Sequence, residues 1–272
     1  MHNRMTDMAG FHDGPDEQFS TQRGPGSPSA RFVPSAVTRA LAAAALLTGG
    51  LVSGTALGQA PFAETAPDGK TLVVPAELAP KGTAYHTIAT DKWQVFFTSE
   101  APLETFDGES RAVLGFVVQG GASPASIEGG EWHLPVESIS TGIDLRDEHL
   151  ANDSWLDAEK HPDIVFQLER VIDVEEQKRG DGFRRYTATL VGQMTLHGRT
   201  NPVRMPGTQI TLLEESERTK KVAPGDLMQI RSKFKVSLPD YDVSNIAIQF
   251  DKVSKEIELD VRLFLSTQRP TA

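Results

Sequence analysis

Histidines are the residues best suited to metal binding or acid–base chemistry in this chain, but their spacing favours neither. Five of them follow residue 60: His86, His133, His149, His161 and His197. None belongs to a His-x-His or His-Glu-x-x-His pattern, the spacings that place two ligands on one metal ion. Hydrogen-bonded or solvated imidazoles are the simpler interpretation, so no metal ligand is predicted. A site assembled by folding from distant histidines stays open.

A short acidic segment is the other candidate for chemistry. It combines four carboxylates with two cations: Asp144, Asp147, Glu148 and Asp157, with Arg146 and Lys160. Paired carboxylates can act as general acid and base. Their place at the start of a predicted helix favours capping, with Asp144 as N-cap, and ion pairing with Arg146. The chain also has no Gly-x-Ser-x-Gly, Gly-x-Gly-x-x-Gly or Walker pattern, so no catalytic residue and no enzymatic activity are predicted.

Composition narrows the classes of partner. The 272 residues include 27 Lys and Arg against 37 Asp and Glu, a net charge of −10, which disfavours a nucleic-acid partner. Cysteine is absent, which excludes disulfides, thiolate zinc sites, iron–sulfur clusters and cysteine nucleophiles. The 39% hydrophobic content is that of an ordinary globular protein.

The first 82 residues divide into three segments. Residues 1–39 are predicted to be disordered or to precede the true initiation site, for example a start at Val37. Residues 40–60 carry no charge and end with Gly58 and Ala60 at the −3 and −1 places of a cleavage site, which indicates a signal peptide or, alternatively, a retained anchor. Pro-rich residues 61–82 are predicted to be a linker. We therefore expect export to the periplasm or the cell exterior.

Alternation of apolar and polar residues predicts the elements that follow. The clearest strand is 185–197, and similar runs occur near residues 93–97, 111–119, 131–136, 164–169, 203–212, 230–238 and 257–265. About eight such strands joined by Gly-rich turns favour an antiparallel sheet with one buried face, closed into a barrel or packed as a sandwich. One stretch, 143–162, predicts one or two short helices that end at Pro162.

Two motifs resemble the signature of the YceI-like family. The first comprises Ser138-Ile-Ser-Thr-Gly-Ile-Asp-Leu-Arg-Asp-Glu-His-Leu150, Trp155-Leu-Asp-Ala158 and His161-Pro-Asp-Ile-Val-Phe166; the second is Gly192-Gln-Met-Thr-Leu-His-Gly-Arg-Thr-Asn-Pro-Val203. The resemblance covers roughly 84–266, and a domain is predicted at 83–268. The family's usual opening Asp-x-x-His-Ser is missing from residues 90–108, which indicates a divergent branch and leaves the ligand's identity open.

The resemblance implies an all-β fold, an antiparallel eight-stranded lipocalin-like β-barrel with one or two short helices inserted. It also implies an apolar interior that holds an isoprenoid quinone or a polyprenyl lipid, without catalysis. No other cofactor is expected. The protein is expected to lie near a membrane. Four motif residues, Arg146, Asp147, His149 and His197, are given a structural role, with Arg146 and Asp147 tying the helical insert to the barrel mouth.

Large apolar residues on the inward faces are the predicted ligand contacts: Phe97, Phe116, Phe166, Leu168, Leu190, Met194, Phe234, Val236 and Leu263. The leading hypothesis is an exported, non-enzymatic binder of isoprenoid or other long-chain amphiphilic lipid. The alternative is an envelope structural or partner-binding module whose barrel is filled by these same side chains. The sequence does not indicate the oligomeric state.

Overall fold

The computed structural model describes residues 62–65, 69 and 71–269. The predictions for residues 1–39 and 40–60 fall outside this part of the chain. Within it, no helix is both long enough and apolar enough to cross a membrane.

Ten β-strands and two short α-helices form in the described residues. In chain order they are β1 (Thr83–Thr87), β2 (Val95–Glu100), β3 (Thr105–Ser110), β4 (Leu114–Gln119), β5 (Ile127–Pro135), α1 (Asp144–Ala151), β6 (Asp163–Gly180), β7 (Phe183–Leu196), β8 (Arg199–Leu213), β9 (Leu227–Ser237), α2 (Ile246–Gln249) and β10 (Glu256–Ser266). All the strand pairs are antiparallel.

Eight of these strands close a ring, in the order β1-β4-β5-β6-β7-β8-β9-β10 and back to β1. This confirms the predicted eight-stranded antiparallel barrel. The β2–β3 hairpin joins the same edge of β10 that β1 uses: β1 pairs with residues 265–266 and β2 with residues 257–261. The other edge of β3 makes a single bridge, between Glu109 and Ser140, so the sequence between β5 and β6 lies beside that edge.

Several elements differ from the prediction. Strands β1 and β3 and helix α2 were not predicted, and β6 is much longer than the alternation at 164–169 indicated. Helix α1 has Ile143 at its N-cap position, so the prediction of Asp144 as N-cap is wrong; Asp144 is the first helical residue. The backbone N–H of Thr141 instead donates to the Asp147 carboxylate, which ties the helix to the loop before it.

The interior of the barrel has two parts. Away from the helices it is filled by a cluster that includes Val117, Leu168, Ile210, Met228 and Leu265. Beside the helices a second cluster, which includes Met194, Leu196 and Val236 together with Leu156 and Val243 from the connecting segments, surrounds open space. The positions of the filled and open parts follow from which side chains point inward along each strand.

A third apolar cluster lies on the outer face of β4. Leu72 and Ala63, which precede the barrel, pack there against Phe116 and Val118. Leu72 is completely buried, and the backbone N–H of Ala63 donates to Glu131 on β5 at 2.6 Å. Part of the segment predicted as a linker is thus packed on the barrel, while the limits assigned to the linker and to the domain remain predictions.

Candidate functional site

The open part of the barrel is an apolar cavity of about 190 Å³. A single water needs roughly 10–15 Å³ measured in the same way, so the space is about 13 to 19 times that minimum. Among the described residues that line it, only Glu109, Ser110 and Ser232 bring charged or hydroxyl side chains, and none is His, Cys, Lys or Asp. The lining therefore suits an apolar occupant and contains no nucleophile–base pair.

Seven of the nine predicted contact residues line this cavity: Phe97, Phe166, Leu190, Met194, Phe234, Val236 and Leu263. They come from β2, β6, β7, β9 and β10, whose inward positions were assigned from the two-residue period. Phe97, Phe166 and Phe234 are only half-buried although they face inward. Inward rings that keep accessible surface distinguish a hollow interior from a packed core. Their contact with a ligand remains a prediction.

The other two predicted residues do not line the cavity. Phe116 lies on the outer face of β4, because that strand is apolar on both faces and the segment around Leu72 covers its outside. Leu168 points inward, but it lies in the filled cluster with Val117 and Val171, beyond the end of the open space. In both cases the size and hydrophobicity of the side chain correctly predicted that it is buried. They did not predict that it lies away from the cavity.

Further lining residues were not among the predicted ligand contacts, although the insert that carries three of them belongs to the first motif. Leu150, Trp155 and Leu156 follow from the insert between β5 and β6, and Phe106 comes from β3. Trp132 could have been found, because it belongs to the alternating run of β5; its ring stacks on Phe166 at 6.0 Å. The buried Nε1 of Trp132 has no hydrogen-bond partner among the described residues.

The insert is attached to the β2–β3 turn by Arg146. Its Nη2 donates to Glu104 Oε1 at 2.7 Å, and its guanidinium lies 4.4 Å from the centre of the Phe106 ring. The neighbouring Asp147 accepts hydrogen bonds from the Thr141 hydroxyl at 2.6 Å and the Ser140 hydroxyl at 2.9 Å. Burial acts to raise the pKa of Asp147, but these hydrogen bonds and the charge of Arg146 lower it overall.

The two histidines of the motifs lie in different surroundings. His149 is exposed on α1. His197 begins the β7–β8 turn, where its ring lies 5.4 Å from that of His161. Asp157 is close by, so that one possible ligand atom from each of Asp157, His161 and His197 lies within 4.8 Å of the others. Local spacing could not reveal this group, because His161 and His197 are 36 positions apart in the sequence.

A closed eight-stranded antiparallel barrel around an apolar cavity belongs to the lipocalin-like class of barrels. The family model for the YceI-like domain matches residues 86–265, two thirds of the chain. The chain therefore belongs to the YceI-like family. A comparison with curated proteins found no match.

Several solved structures have a similar fold, including these three. BcnA of Burkholderia cenocepacia is 14% identical, with a TM-score of 0.47 over 66% of this chain and 95% of that one. A polyisoprenoid binding domain from Saccharophagus degradans, described as implicated in plant cell wall breakdown, is 16% identical, with a TM-score of 0.46 over 68% and 98% of the two chains. The YceI protein of Campylobacter jejuni is 16% identical, with a TM-score of 0.44 over 60% and 85%.

Proposed function

We propose that this protein is an exported, non-enzymatic binder of a long apolar lipid, an isoprenoid quinone or a polyprenyl chain, held in the barrel. The observation that carries the proposal is the hollow half of the interior, walled by inward aromatic and aliphatic side chains. Membership of the YceI-like family supports the isoprenoid as ligand class, and the uncharged stretch at 40–60 supports export.

Burial of the hydrocarbon chain supplies the binding free energy in this proposal. Each CH₂ group transferred from water contributes about 0.8 kcal/mol, so ten buried carbons contribute about 8 kcal/mol. Loss of translational and rotational freedom offsets about 4–15 kcal/mol. The net gain is at most about 4 kcal/mol, a Kd of about 1 mM, so ten carbons alone bind weakly at best, and a longer tail or a polar contact must add the remainder.

Trp132 is the proposed polar contact. An unpaired buried N–H is destabilising, by about 1–3 kcal/mol, and an acceptor oxygen on the ligand would relieve this cost. A quinone carbonyl or a lipid hydroxyl has such an oxygen. This reasoning favours a ligand with a polar head over a plain hydrocarbon.

The proposed route for the lipid passes three segments beside the cavity: the β2–β3 turn, the insert between β5 and β6, and the connection between β9 and β10 that contains α2. Hydrogen bonds join these segments in pairs: Arg146 Nη2 to Glu104 Oε1, Leu103 N to Asp251 O at 3.1 Å, and Asn245 Nδ2 to Ser154 O at 2.9 Å. Each segment also exposes large apolar side chains: Leu103, Leu145, Ile246 and Phe250. Exposed apolar groups of this kind mark lipid or protein contact sites. We propose that they touch the membrane while lipid is transferred.

The first test is native mass spectrometry of the full-length protein expressed with export in a bacterial host, followed by solvent extraction. A co-purifying mass that matches a quinone or polyprenyl lipid supports the proposal. Protein that stays empty after incubation with both lipid classes contradicts it and favours an envelope module that binds a protein partner.

Variants of one strand make the test specific to the cavity. Met205→Asp places a charge on the cavity wall, whereas Gln209→Asp places the same residue at an exposed position of β8. We expect the first change to abolish the bound mass and the second to preserve it. Leu259→Trp reduces the open space with an apolar side chain, and it should also lower lipid content if Met205→Asp fails to fold. Equal lipid content in all three folded variants would argue against the cavity as the site.

A further inference from the structure

A group of three metal-ligating residues lies outside the lipid cavity, where the insert meets the β7–β8 turn. The group comprises Asp157 and His161 from the insert and His197 from the turn, with their ligand atoms within 4.8 Å of one another. None of the three lines the cavity. Two imidazoles and a carboxylate are a common ligand set for zinc and other first-row transition metals.

The backbone holds Asp157 and His161 in place. Asp157 is 7% exposed and has a left-handed backbone, with φ of 50°. Its N–H donates to Asn152 O at 2.9 Å, and its own carbonyl accepts the N–H of His161 at 2.7 Å. Both side chains therefore project from a single hydrogen-bonded turn. This limits the conformational entropy that the chain would lose on metal binding.

The β7–β8 turn presents His197 to this pair. His197 and Gly198 have φ values of 50° and 72°, as two-residue hairpin turns require. A Cβ atom at position 198 would lie only 2.6 Å from His161 Cε1, so the approach of the turn to the His161 ring depends on glycine. The sequence His197-Gly198 therefore serves both the turn and the close placement of the two imidazoles.

Hydrogen bonding also prepares His197 for coordination. Its Nδ1 lies 3.3 Å from the carbonyl oxygen of Tyr241, which can only accept. In the neutral imidazole the proton then lies on Nδ1, and Nε2 keeps the lone pair that a metal binds. A backbone carbonyl that fixes the tautomer in this way is the usual outer partner of a metal-bound histidine.

Lys160 is the group that would compete with a metal ion. Its Nζ donates to Asp157 Oδ2 at 2.7 Å. The Lys160 side chain is 70% exposed, so it can move into solvent when a divalent ion replaces it. Because the Lys160 end of this pair lies in solvent, a divalent ion can displace it from the carboxylate.

We propose that Asp157, His161 and His197 bind one divalent transition-metal ion, with Zn²⁺ the best match and water completing the coordination. Ligands at about 2.0–2.1 Å from a tetrahedral ion lie about 3.3 Å from each other. Side-chain torsions that bring the three atoms about 1–1.5 Å closer would satisfy this geometry. The ion would cross-link the insert to the β7–β8 turn beside the lipid cavity.

The test uses full-length protein purified without a histidine tag and freed of metal by chelation. Titration with Co²⁺, followed by visible absorption, should give the intense bands of a tetrahedral ion at one equivalent, and excess Zn²⁺ should remove them. His161→Gln and His197→Gln should each weaken binding at least tenfold. His149→Gln, at an exposed position of α1, is the matched control and should bind as tightly as the unmodified protein.

Two results would overturn the proposal. One is unmodified protein that gives only the weak spectrum of hydrated Co²⁺, a result that does not depend on whether any variant folds. The other is equal loss of affinity in His149→Gln and in the two cluster variants. Hydrogen exchange provides a second readout, because Zn²⁺ should slow exchange in residues 152–161 of the unmodified protein and leave that of His197→Gln unchanged.

Discussion

Glu131 is a carboxylate buried between the outer face of β5 and the segment that precedes β1. It accepts hydrogen bonds from His133 Nε2 at 2.6 Å, Gln167 Nε2 at 3.0 Å and the backbone N–H of Ala63 at 2.6 Å. Burial by itself raises its pKa, but the three hydrogen bonds and the proximity of His133 lower it overall, below the ordinary value of 4.5. One side chain thus connects the N-terminal segment to two strands.

Glu131→Gln should destabilise the protein at pH 7 by about 1–3 kcal/mol, because it removes the charge of a buried hydrogen-bond network and replaces one accepting carboxylate oxygen with an NH₂ donor. A pKa that is lower in the folded state contributes stability above pH 4.5, and this contribution disappears as pH falls through the folded-state pKa. Urea unfolding at pH 7 and pH 3.5 should therefore show a smaller loss of stability on acidification in the variant. Glu128→Gln, exposed on the same strand, should behave like the unmodified protein; an equal acid response in all three would refute this role.

Trp132→Phe tests the polar contact of the cavity. The change keeps an aromatic ring against Phe166 and removes the N–H that lacks a partner. Binding of a quinone should weaken about 5- to 30-fold, the loss of one hydrogen bond of about 1–2 kcal/mol, while binding of squalene, a hydrocarbon without oxygen, should not. Trp155→Phe, elsewhere on the wall, is the control. Equal weakening for both lipids would mean that Trp132 contributes packing only.

Helix α1 of the insert is stabilised by few buried contacts of its own. It has no buried residue, and Leu145 on it is 61% exposed. Its attachment depends on Arg146, which contacts both Glu104 and the Phe106 ring, and on the hydrogen bonds that Asp147 accepts. Elements with few buried apolar contacts open locally at low free energy. Helix α1 should therefore open locally without unfolding of the barrel.

Arg146→Gln should affect the insert more than the barrel. The Arg146–Glu104 pair is partly exposed, so we expect a change in global stability of only about 0–1 kcal/mol. Hydrogen exchange at residues 143–156 should accelerate severalfold, while exchange in β7 and β8 stays constant. Arg170→Gln removes a comparable exposed cation from β6 and should leave both unchanged. Uniform acceleration over the whole chain would contradict the local role.

Elements with a regular two-residue period could be predicted from the sequence, whereas those shaped by their neighbours could not. β7 and β10 alternate clearly, because one face of each supplies apolar side chains to the interior and the other carries mostly polar ones, such as Thr187 and Gln193 of β7. β3 reads Thr-Phe-Asp-Gly-Glu-Ser and exists because β2 pairs with it. The second half of β6 is similarly exposed and is held by its pairing with β7. Pairing of the backbone N–H and C=O groups with a neighbouring strand, not side-chain pattern, stabilises such strands.

The same distinction applies to the candidate site: residues on strands with one apolar face could be predicted, and residues placed by distant parts of the chain could not. Phe97, Met194 and Leu263 were found because their strands have one apolar face. Phe116 was misplaced because β4 is apolar on both faces and its cover, around Leu72, comes from far along the sequence. The grouping of His161 with His197 depends on the three-dimensional path of the chain and has no local signal.

At the scale of the whole molecule, the barrel is filled at one end and hollow at the other. The filled cluster around Ile210 and Met228 gives the fold a core that needs no ligand. At the hollow end, inward aromatic rings have no neighbouring atoms on the side that faces the cavity. They therefore lack part of the dispersion energy that a packed ring gains. A lipid that occupies this space would restore those contacts. Ligand binding and folding stability should therefore be linked.

Removal of lipid from the full-length protein should lower its melting temperature. A ligand present at about 100 times its Kd stabilises the folded state by about 2.7 kcal/mol. For a domain of this size each kcal/mol corresponds to about 2–4 °C, so delipidation should lower Tm by about 5–10 °C and added isoprenoid should restore it. In Leu259→Trp the new side chain already occupies part of the cavity, so the same treatments should shift Tm by much less. A delipidated protein with the original Tm would show that the interior needs no ligand, as expected of a module that binds partners through its surface.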